Sequence, residues 1–413
     1  MIGRFCDGQA YLSQGQTPAV TLAQPVHCLL FFNHKSPELR TRPQMIPLLK
    51  HSLDLATKSL QITSPNPRVG CIITSPDGST LGKGNTQRAG GPHAEIMALR
   101  DAAAQSHSVQ GATAYVTLEP CAHQGRTGPC CDALIAAGIK KLVATNTDPN
   151  PLVAGQGFAR MRAAGVEVVV LSPDDPLAIQ SRELNIGFFS RMIRKRPWVR
   201  MKISASLDGK TALPNGVSQW ITSPEARADG HAWRARACTV LTGMGTVLAD
   251  NPKLNVRLVD SPRQPSVTVV DSHLDLSPAA NVFIAGRPLY IWAATQNCQK
   301  QSALEANGAK VFYQPDGHGH VNLTAMLKDL ATLEVNEMHV EAGHRLNGAL
   351  IGAGLVDEFL VYLAPKLLGH GSDMASFGPL TELSQSVQLV FQSTQMIGPD
   401  LRVLARVQGS DQF

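Results

Sequence analysis

Apolar residues recur along this chain with two alternating spacings, that of a helix and that of a strand. In residues 46–62, apolar side chains recur at helical spacing at Leu49, Leu53, Ala56 and Leu60, which predicts an amphipathic helix. Strand-length apolar runs and further helical runs then follow one another to about residue 190. This alternation is typical of a sheet covered by helices on both faces. The predicted strands are 71–74, a segment that ends at residue 84, 112–118, 139–145 and 166–171. One helix is predicted to begin at residue 94, and two others are predicted at 130–137 and 156–164.

The same alternation resumes after a short basic segment and predicts a second α/β domain. The chain is therefore expected to consist of an extension of unknown role and poor order (1–44), a first domain (45–190), a linker (191–197) and a second domain (198–413). Its predicted strands are 198–203, 239–242, 266–271, 289–292, 338–340 and 358–363, and its predicted helices are 224–237, 303–307, 323–333 and 346–353.

Composition and charge limit the classes of protein to which this chain can belong. Of the 413 residues, 43% are hydrophobic and 17% are charged, as in ordinary globular enzymes. No apolar run reaches the roughly 18 residues that would span a membrane. The net charge of +5 fits a phosphorylated small substrate and an anionic cofactor better than a nucleic acid. Eight cysteines without a paired framework indicate a reducing compartment, so we expect a cytoplasmic protein.

One histidine and two cysteines carry the clearest chemistry. His93, Cys121 and Cys130 form a three-ligand set that suits Zn²⁺ and leaves a fourth position for water. Each of the three is predicted to lie at the end of a helix or strand. Glu95 is not needed as a ligand and can take a proton from water and pass it to a leaving amine. The pattern therefore predicts a zinc-dependent deaminase site.

Two less specific interpretations remain for these residues. For any one of these residues alone, a buried histidine near unrelated thiols would be the usual interpretation, whereas the four together favour a functional site. A structural zinc site would need a fourth protein ligand, for which His123 or Cys131 would be the candidate. Cys131 is expected to face away, because it adjoins Cys130 on the same helix.

Two glycine-containing turns in the second half are suited to phosphate. The segments 243–246 and 341–348 each join a predicted strand to a helix, where backbone N–H groups can hold a phosphate or pyrophosphate. Either turn alone is a weak signal. The six-position dinucleotide fingerprint is absent, so an ordinary Rossmann domain is not predicted.

From about residue 45 to the C-terminus, the chain resembles the family of bifunctional riboflavin-biosynthesis deaminase/reductases. The ten-residue span from Cys121 to Cys130 is that family's mark within the wider deaminase group. The segments that carry the resemblance are Asn66-Pro-Arg-Val-Gly70, His93-Ala-Glu95, 117–130, Asp148-Pro-Asn150-Pro, 202–209, 218–223, 246–252 and 361–369.

The resemblance implies two consecutive steps on one phosphorylated pyrimidine. Water first replaces the 2-amino group of 2,5-diamino-6-ribosylamino-4(3H)-pyrimidinone 5′-phosphate, and hydride from NADPH then reduces the ribosyl group to ribityl. It also implies a zinc cytidine-deaminase-like three-layer α/β/α domain followed by a dihydrofolate-reductase-like α/β domain. In the first domain, Glu95 would be catalytic, Asn66 would bind the pyrimidine edge, and His123 and Arg126 would hold the ribose and its phosphate.

For the second domain, the resemblance implies a catalytic trio of Lys202, Asp250 and Glu341. Glu341 would also contact the substrate, and Asp250 the cofactor. The other implied substrate-binding residues are Ser218, Arg234, Leu254 and Arg257, of which the two arginines would hold the substrate phosphate. The other implied NADPH-binding residues are Ser204, Trp220, Thr246, Ser272, Gly343, His344, Arg345, Leu346, Asn347, Gly348 and Ala349.

Two alternatives are weighed against this interpretation. A nucleic-acid base deaminase with an unrelated second domain would require closer thiols and more aromatic residues than the 5% present. A single-function relative or zinc-stabilised scaffold would be expected to have lost Glu95 or the catalytic trio. We expect a phosphorylated pyrimidine nucleotide as substrate, no nucleic-acid or membrane partner, and a homo-oligomer.

Overall fold

Two large β-sheets organise the chain. One has five strands, and the other has nine. The computed structural model describes residues 37–123, 128–151 and 153–413, and the side chains from residue 45 onward. Within those ranges, no helix has the length and apolar character needed to cross a membrane.

The first sheet is mixed. Its strand β1 runs antiparallel to β2 and β3, whereas β3, β4 and β5 run parallel. The strands are β1 (Gly70–Thr74), β2 (Thr80–Asn85), β3 (Thr113–Val116), β4 (Lys141–Ala144) and β5 (Glu167–Val170). The helices are α1 (Pro37–Thr57), α2 (Ala94–Ala104), α3 (Cys130–Ala136), α4 (Gln156–Ala163), α5 (Pro176–Leu184) and α6 (Ile186–Arg194).

Helices cover both faces of this sheet, as predicted. On one face, Ala98, Leu134 and Met161 from α2, α3 and α4 share a buried core with the strands. On the other face, Leu49 of α1 and Leu177 of α5 pack with buried strand residues. Because both faces are buried, the inner strands are apolar on both sides, which explains their continuous hydrophobic runs.

The second sheet is parallel from β11 to β13 and ends in an antiparallel hairpin. Its strands, with the small pair β7–β14, are β6 (Trp198–Ser206), β7 (Lys210–Ala212), β8 (Thr239–Gly243), β9 (Ser266–Val270), β10 (Leu289–Ala293), β11 (Ala309–Tyr313), β12 (Glu337–Val340), β13 (Glu358–Ala364), β14 (Ser372–Asp373), β15 (Leu389–Ile397) and β16 (Asp400–Val407). The helices are α7 (Pro224–Arg236), α8 (Met244–Asp250), α9 (Cys298–Ala306), α10 (Leu323–Thr332) and α11 (His344–Gly352), with a short 3₁₀ turn at Leu383–Gln385.

The strand order of the second sheet, β11-β10-β9-β8-β12-β6-β13-β16-β15, creates a crevice. From β8 the chain moves outward through β9, β10 and β11, whereas from β12 it continues on the opposite side to β13. Ligands of open α/β sheets bind beyond the carboxyl ends of strands at such a reversal. The segments that follow β8, β9 and β12 therefore meet at one edge.

Several boundaries differ from the prediction. Helix α1 begins at Pro37 and ends at Thr57, so residues 37–44 of the predicted extension are helical and the first 36 residues lie outside the described ranges. Helix α6 continues to Arg194, so it includes more than half of the predicted linker. The prediction also missed the hairpin β15–β16, because the polar run 392–395 interrupts the apolar pattern of β15.

Candidate active sites

The three predicted metal ligands meet at one edge of the first sheet. His93 precedes α2, Cys121 follows β3, and Cys130 is the first residue of α3. Their ligand atoms all lie within 4.8 Å of one another. The fold therefore brings together the three side chains that the sequence analysis selected.

The geometry of this cluster fits zinc. His93 Nδ1 lies 3.6 Å from Cys121 Sγ and 3.4 Å from Cys130 Sγ. Tetrahedral zinc bonds of about 2.0 Å to nitrogen and 2.3 Å to sulfur would separate those atoms by about 3.5 Å. Among the described residues, no fourth histidine, cysteine or carboxylate belongs to the cluster. Cys131 Sγ instead donates to Asp132 Oδ1 at 3.5 Å.

The two ligand thiols are electrostatically unequal. The backbone N–H of Cys130 donates to Cys121 Sγ at 3.3 Å. Hydrogen bonds from the Cys130 thiol and from His93 lower the pKa of Cys121 to about 4. The hydrogen bond to Cys121 and burial raise the pKa of Cys130. The pair therefore shares one proton, which a bound cation would displace.

Glu95 lies in the first turn of α2 and is almost fully buried. Burial, assisted by the charge on Cys121, raises the pKa of Glu95 to about 7. A carboxyl group that titrates near neutral pH can both accept and return a proton. Its position next to the ligand set suits acid–base chemistry.

His93, Cys121 and Glu95 open onto a cavity of about 390 Å³. Asn66 and His123, both predicted to contact the substrate, line this cavity. The backbone N–H of Asn66 donates to Thr63 O at 2.8 Å, within a turn that carries the side chain to the cavity wall. The prediction for Arg126 concerns a residue outside the described ranges.

Two buried carboxylates near this cavity were not selected from the sequence. Asp148 lines the cavity, and burial raises the pKa of its carboxyl group to about 7. Glu119 accepts hydrogen bonds from the backbone N–H groups of Asp148, Gly155 and Phe158, so it holds the loop after β4 in place. The signal available in the sequence was their position soon after predicted strands.

In the second domain, Lys202 and Glu341 are neighbours. Strand β12 pairs with β6 so that Val340 faces Met201, which places the next residue of each strand side by side. Burial lowers the pKa of Lys202, and the charge of Glu341 opposes that shift. Burial would raise the pKa of Glu341, but the charges of Arg234 and Lys202 hold it well below its usual range.

The two predicted phosphate-binding arginines differ in their contacts. Arg234 is buried and donates two hydrogen bonds to the Glu341 carboxylate, at 2.6 and 2.9 Å, and one to Asn255 O at 2.6 Å. Arg257 is exposed, and its guanidinium donates to Asn255 Oδ1 at 3.3 Å. His231 Nδ1, which the sequence analysis did not select, accepts the backbone N–H of Arg257 at 3.1 Å.

Asp250 is the exposed last residue of α8. Within the described ranges, no ion pair or hydrogen bond connects it with Lys202 or Glu341, so these contacts do not join the predicted trio. Leu254 is buried with a left-handed φ of 49°. Ser218 is half-buried, whereas Trp220 is 60% exposed, and the guanidinium of Arg227 lies 4.5 Å from its ring centroid.

The turns after β8 and β12 form a cradle that fits the phosphates of a dinucleotide. A Cβ atom on Gly343 would meet only Thr246 Oγ1, at 3.8 Å, so Thr246 lies beside this open turn. Leu346 packs against Gly243 and joins the two turns. Helices α8 and α11 both begin without a side-chain cap, which leaves the backbone N–H groups of their first turns available to an anion.

Not all the predicted cofactor residues face this cradle. Asn347 is buried and donates to Met374 O at 2.9 Å, and Gly348 lies directly against the backbone of Ser376. These two residues therefore hold the segment 374–376 against α11. The remaining residues are distributed around the crevice: Ser204 on β6, Ser272 after β9, and His344, Arg345 and Ala349 on α11.

Comparison with known proteins connects both sites with one group. The model of the RibD C-terminal domain matches residues 197–403, and that of the cytidine and deoxycytidylate deaminase zinc-binding region matches residues 44–146. The riboflavin biosynthesis protein RibD of Escherichia coli (strain K12) is 42% identical over 366 residues, which are 86% of this chain and 96% of that protein. Its counterpart in Haemophilus influenzae is 37% identical over 368 residues, which are 86% of this chain and 95% of that protein.

Solved structures show the same similarity. Acinetobacter baumannii RibD, form 1, superposes with a TM-score of 0.79 at 35% identity, covering 89% of this chain and 99% of that one. A Thermotoga maritima diaminohydroxyphosphoribosylaminopyrimidine deaminase/5-amino-6-(5-phosphoribosylamino)uracil reductase gives a TM-score of 0.78 at 29% identity, covering 88% and 99%.

Proposed function

Because the chain belongs to the RibD family of riboflavin-biosynthesis proteins, we propose that its two described sites carry out that family's two reactions through the residues assigned below. The chain is a bifunctional enzyme, a zinc-dependent deaminase joined to an NADPH-dependent reductase. The observation that carries the assignment is the His93, Cys121 and Cys130 cluster with buried Glu95 beside a cavity.

In the deaminase, the substrate is 2,5-diamino-6-ribosylamino-4(3H)-pyrimidinone 5′-phosphate, whose 2-amino group is exchanged for oxygen. A zinc ion held by the three ligands would supply a Lewis acid that makes water a nucleophile at neutral pH. Glu95 accepts one proton from the attacking water and passes it to the ring nitrogen. It then takes the second proton, from the hydroxyl now on the ring carbon, and passes it to the amine, which leaves as ammonia. Its buried position allows the carboxyl group to hold that proton near neutral pH.

Substrate binding in this cavity is assigned to three side chains. The Asn66 amide offers both a donor and an acceptor to the edge of the pyrimidine. His123, which lines the cavity, and Arg126 are assigned to the ribose and its phosphate. A terminal phosphate is found on a free nucleotide and not inside a long nucleic-acid strand, which favours the small substrate.

In the reductase, the deaminated product loses its cyclic sugar form and is reduced to a ribityl chain. NADPH would supply the hydride. Lys202, which lies beside Glu341, is assigned to protonate the sugar ring oxygen as the ring opens, and the charge of Glu341 opposes the loss of the lysine proton on burial. Asp250 is assigned to proton exchange with solvent, in keeping with its exposure at the end of α8.

The remaining contacts follow the crevice at the carboxyl ends of the strands. Arg257, with Arg234, Ser218, Leu254 and Glu341, is assigned to the substrate. The cradle formed by the turns after β8 and β12 would hold the cofactor phosphates. The residues assigned to NADPH are Ser204, Trp220, Thr246, Asp250, Ser272 and 343–349.

We also propose that the enzyme is a homo-oligomer. Strand β15 is an edge strand of the nine-stranded sheet, and it exposes Val390, Phe391 and Met396 by 48%, 73% and 59%. Long apolar edge strands usually pair with another chain. Light scattering should give a mass above one subunit, and Phe391→Lys should lower it. A monomeric wild type would contradict the proposal.

A reducing, cytoplasmic location is proposed on the chemistry of the ligands. All six cysteines in the described ranges are free, and Cys121 and Cys130 can bind a metal only as thiolates. An oxidising compartment would join such neighbouring thiols. Cell fractionation with an antibody against the chain would test this assignment.

The central experiment measures both reactions on purified full-length protein. We expect about one zinc per chain, ammonia release from the diaminopyrimidine phosphate without NADPH, and NADPH oxidation only after ammonia has been released. Removing zinc with a chelator should stop ammonia release and spare NADPH oxidation on the preformed deaminated substrate. NADPH oxidation on the undeaminated compound would contradict the order of steps.

A further inference from the structure

The deaminase loop that carries Asn66 rests on the reductase domain. Asn336 Nδ2 donates to Pro65 O at 2.9 Å, just before β12 of the reductase sheet. Arg191 Nη2 donates to the same carbonyl at 3.3 Å. Ser64 Oγ lies 3.1 Å from Cys238 Sγ, at the start of β8. Both residues that precede Asn66 are therefore held by groups outside the deaminase sheet.

The other end of the loop is held by an ion pair. Arg68 Nη1 donates to Glu337 Oε1 at 2.6 Å, and both side chains are buried. Arg200 and Arg236 also pair with the Glu337 carboxylate, at 3.1 and 2.6 Å. A carboxylate shared by three arginines is well compensated for its burial, so the geometry of the Arg68 contact is tightly defined.

The side chain of Asn336 makes one hydrogen bond within the described ranges, and that bond goes to the deaminase loop. Its Nδ2 donates to Pro65 O, whereas its Oδ1 is buried with no hydrogen-bond partner in the described ranges. Burial of an amide with half of its polar atoms unpaired costs stability. Within the described ranges, the only hydrogen bond of the Asn336 side chain is therefore the one to the deaminase loop.

The same reductase segment forms part of the deaminase cavity wall. Pro65, Asn66 and Pro67 line the cavity, and so does Glu334, two residues before Asn336. Strand β12 then leads from Glu337 to Val340 and on to Glu341 at the reductase site. One short segment thus contacts the deaminase loop at its beginning and the reductase site at its end.

We propose that Asn336 and Glu337 are positioning residues for deamination: the reductase domain holds the loop 64–68 so that Asn66 meets the pyrimidine edge. The inference rests on the proposed role of Asn66. Deamination at full efficiency then requires the docked reductase domain, although no reductase residue takes part in that chemistry. An exposed loop held only by its own domain would lose binding energy by ordering on substrate binding.

A second interdomain contact provides a matched control. Arg406 of β16 donates to both carboxylate oxygens of Glu183 in α5, each at 2.8 Å. This pair also joins the two domains, but neither residue lines the deaminase cavity. Glu183→Gln therefore weakens the interface without touching the loop.

The test compares full-length zinc-loaded Asn336→Ala, Asn336→Asp and Glu183→Gln with the wild type. Ammonia release and NADPH oxidation on preformed deaminated substrate are measured separately, with zinc content. Loss of one hydrogen bond should lower kcat/KM for ammonia release by about 3- to 10-fold in both Asn336 variants, mainly by raising KM. NADPH oxidation and zinc content should stay within about 2-fold, as should both activities of Glu183→Gln.

Three outcomes would overturn the inference. These are unchanged ammonia release in the Asn336 variants, an equal loss of both activities, or an equal effect of Glu183→Gln. A loss in kcat alone would also count against it, because Asn66 is assigned to binding. A wild type that releases no ammonia would refute the proposed function instead, so the two failures are distinguishable.

Discussion

The two candidate sites of this chain are assembled in different ways. The predicted deaminase ligands lie at or near the ends of elements, within short sequence motifs, and the largest separation between His93 and the cysteines is 37 residues. In the reductase site, Lys202 and Glu341 are far apart in the chain and become neighbours only because β12 inserts beside β6. A metal centre can be recognised from local spacing, whereas a sheet-edge site depends on strand order.

Their electrostatics also differ. In the deaminase cavity, burial raises the pKa values of Glu95 and Asp148 to about 7, so these groups can exchange protons near neutral pH. In the reductase crevice, Arg234 and Lys202 outweigh burial and keep the pKa of Glu341 low. The first site therefore contains carboxyl groups that titrate near neutral pH, and the second contains a fixed array of charges.

The largest effect is expected for a substitution of Glu95, which should abolish one activity and spare the other. Glu95→Gln removes the proton acceptor, so ammonia release should fall by about 10³-fold or more, while zinc stays bound. NADPH oxidation on preformed deaminated substrate should be unchanged. Metal analysis and the two activity assays on the same preparation would check this, and equal loss of both activities would show that the sites are not independent.

The reciprocal change is in the reductase. Glu341→Gln removes the charge that orients Lys202, so NADPH oxidation should fall by about 100-fold. Zinc content and ammonia release should be preserved, and Asp250→Asn should likewise spare deamination. Steady-state assays of each reaction would measure the separation. Loss of zinc from either variant would contradict it.

A smaller effect distinguishes the two arginines. Arg257→Ala should raise the reductase KM by about 10-fold with little change in kcat, since its guanidinium is exposed and has one neutral partner. Arg234→Ala should also lower kcat, because Glu341 would lose its bidentate partner. Full saturation curves would resolve the two patterns. Identical changes in both variants would indicate that the arginines act as one phosphate site.

The smallest effect concerns stability and pH. His339 is buried beside Glu341, and burial lowers its pKa to about 3. Below a pH of about 6.5, His339 binds a proton in the unfolded chain but not in the folded chain. The free energy of unfolding therefore decreases as the pH is lowered, by at most about 1.4 kcal/mol per pH unit from this residue. His339→Gln should have a shallower slope between pH 6 and about pH 4.

Urea unfolding followed by tryptophan fluorescence would measure this slope. All four tryptophans, Trp198, Trp220, Trp233 and Trp292, lie in the reductase half, so the signal reports on the domain that contains His339. The same experiment on Glu183→Gln provides a control outside the crevice. Parallel slopes for His339→Gln and the wild type would show that His339 is not the titrating group.

Much of the fold was accessible from periodicity. Alternating strands and helices predicted both α/β domains, and the core of α1 around Leu49 and Leu53 lies where the helical spacing placed it. The exposed hairpin strand β15 was missed, since its residues do not alternate between a buried and a solvated face. Helix α6 was taken partly for a linker because Arg191 and Arg194 resemble solvated charges, yet Arg194 pairs with buried Asp357.

The sequence by itself determined the α/β class of both domains, and it was enough to propose the chemistry that depends on residue type and local spacing, namely the ligand set and the neighbouring acid Glu95. Only the tertiary structure decided that Arg234 is held by Glu341 while Arg257 stays open, and that Asn336 and Glu337 support the Asn66 loop. The reason is physical. Spacing along a helix or strand is set by local backbone geometry, whereas pairing between distant segments is set by sheet order and domain docking.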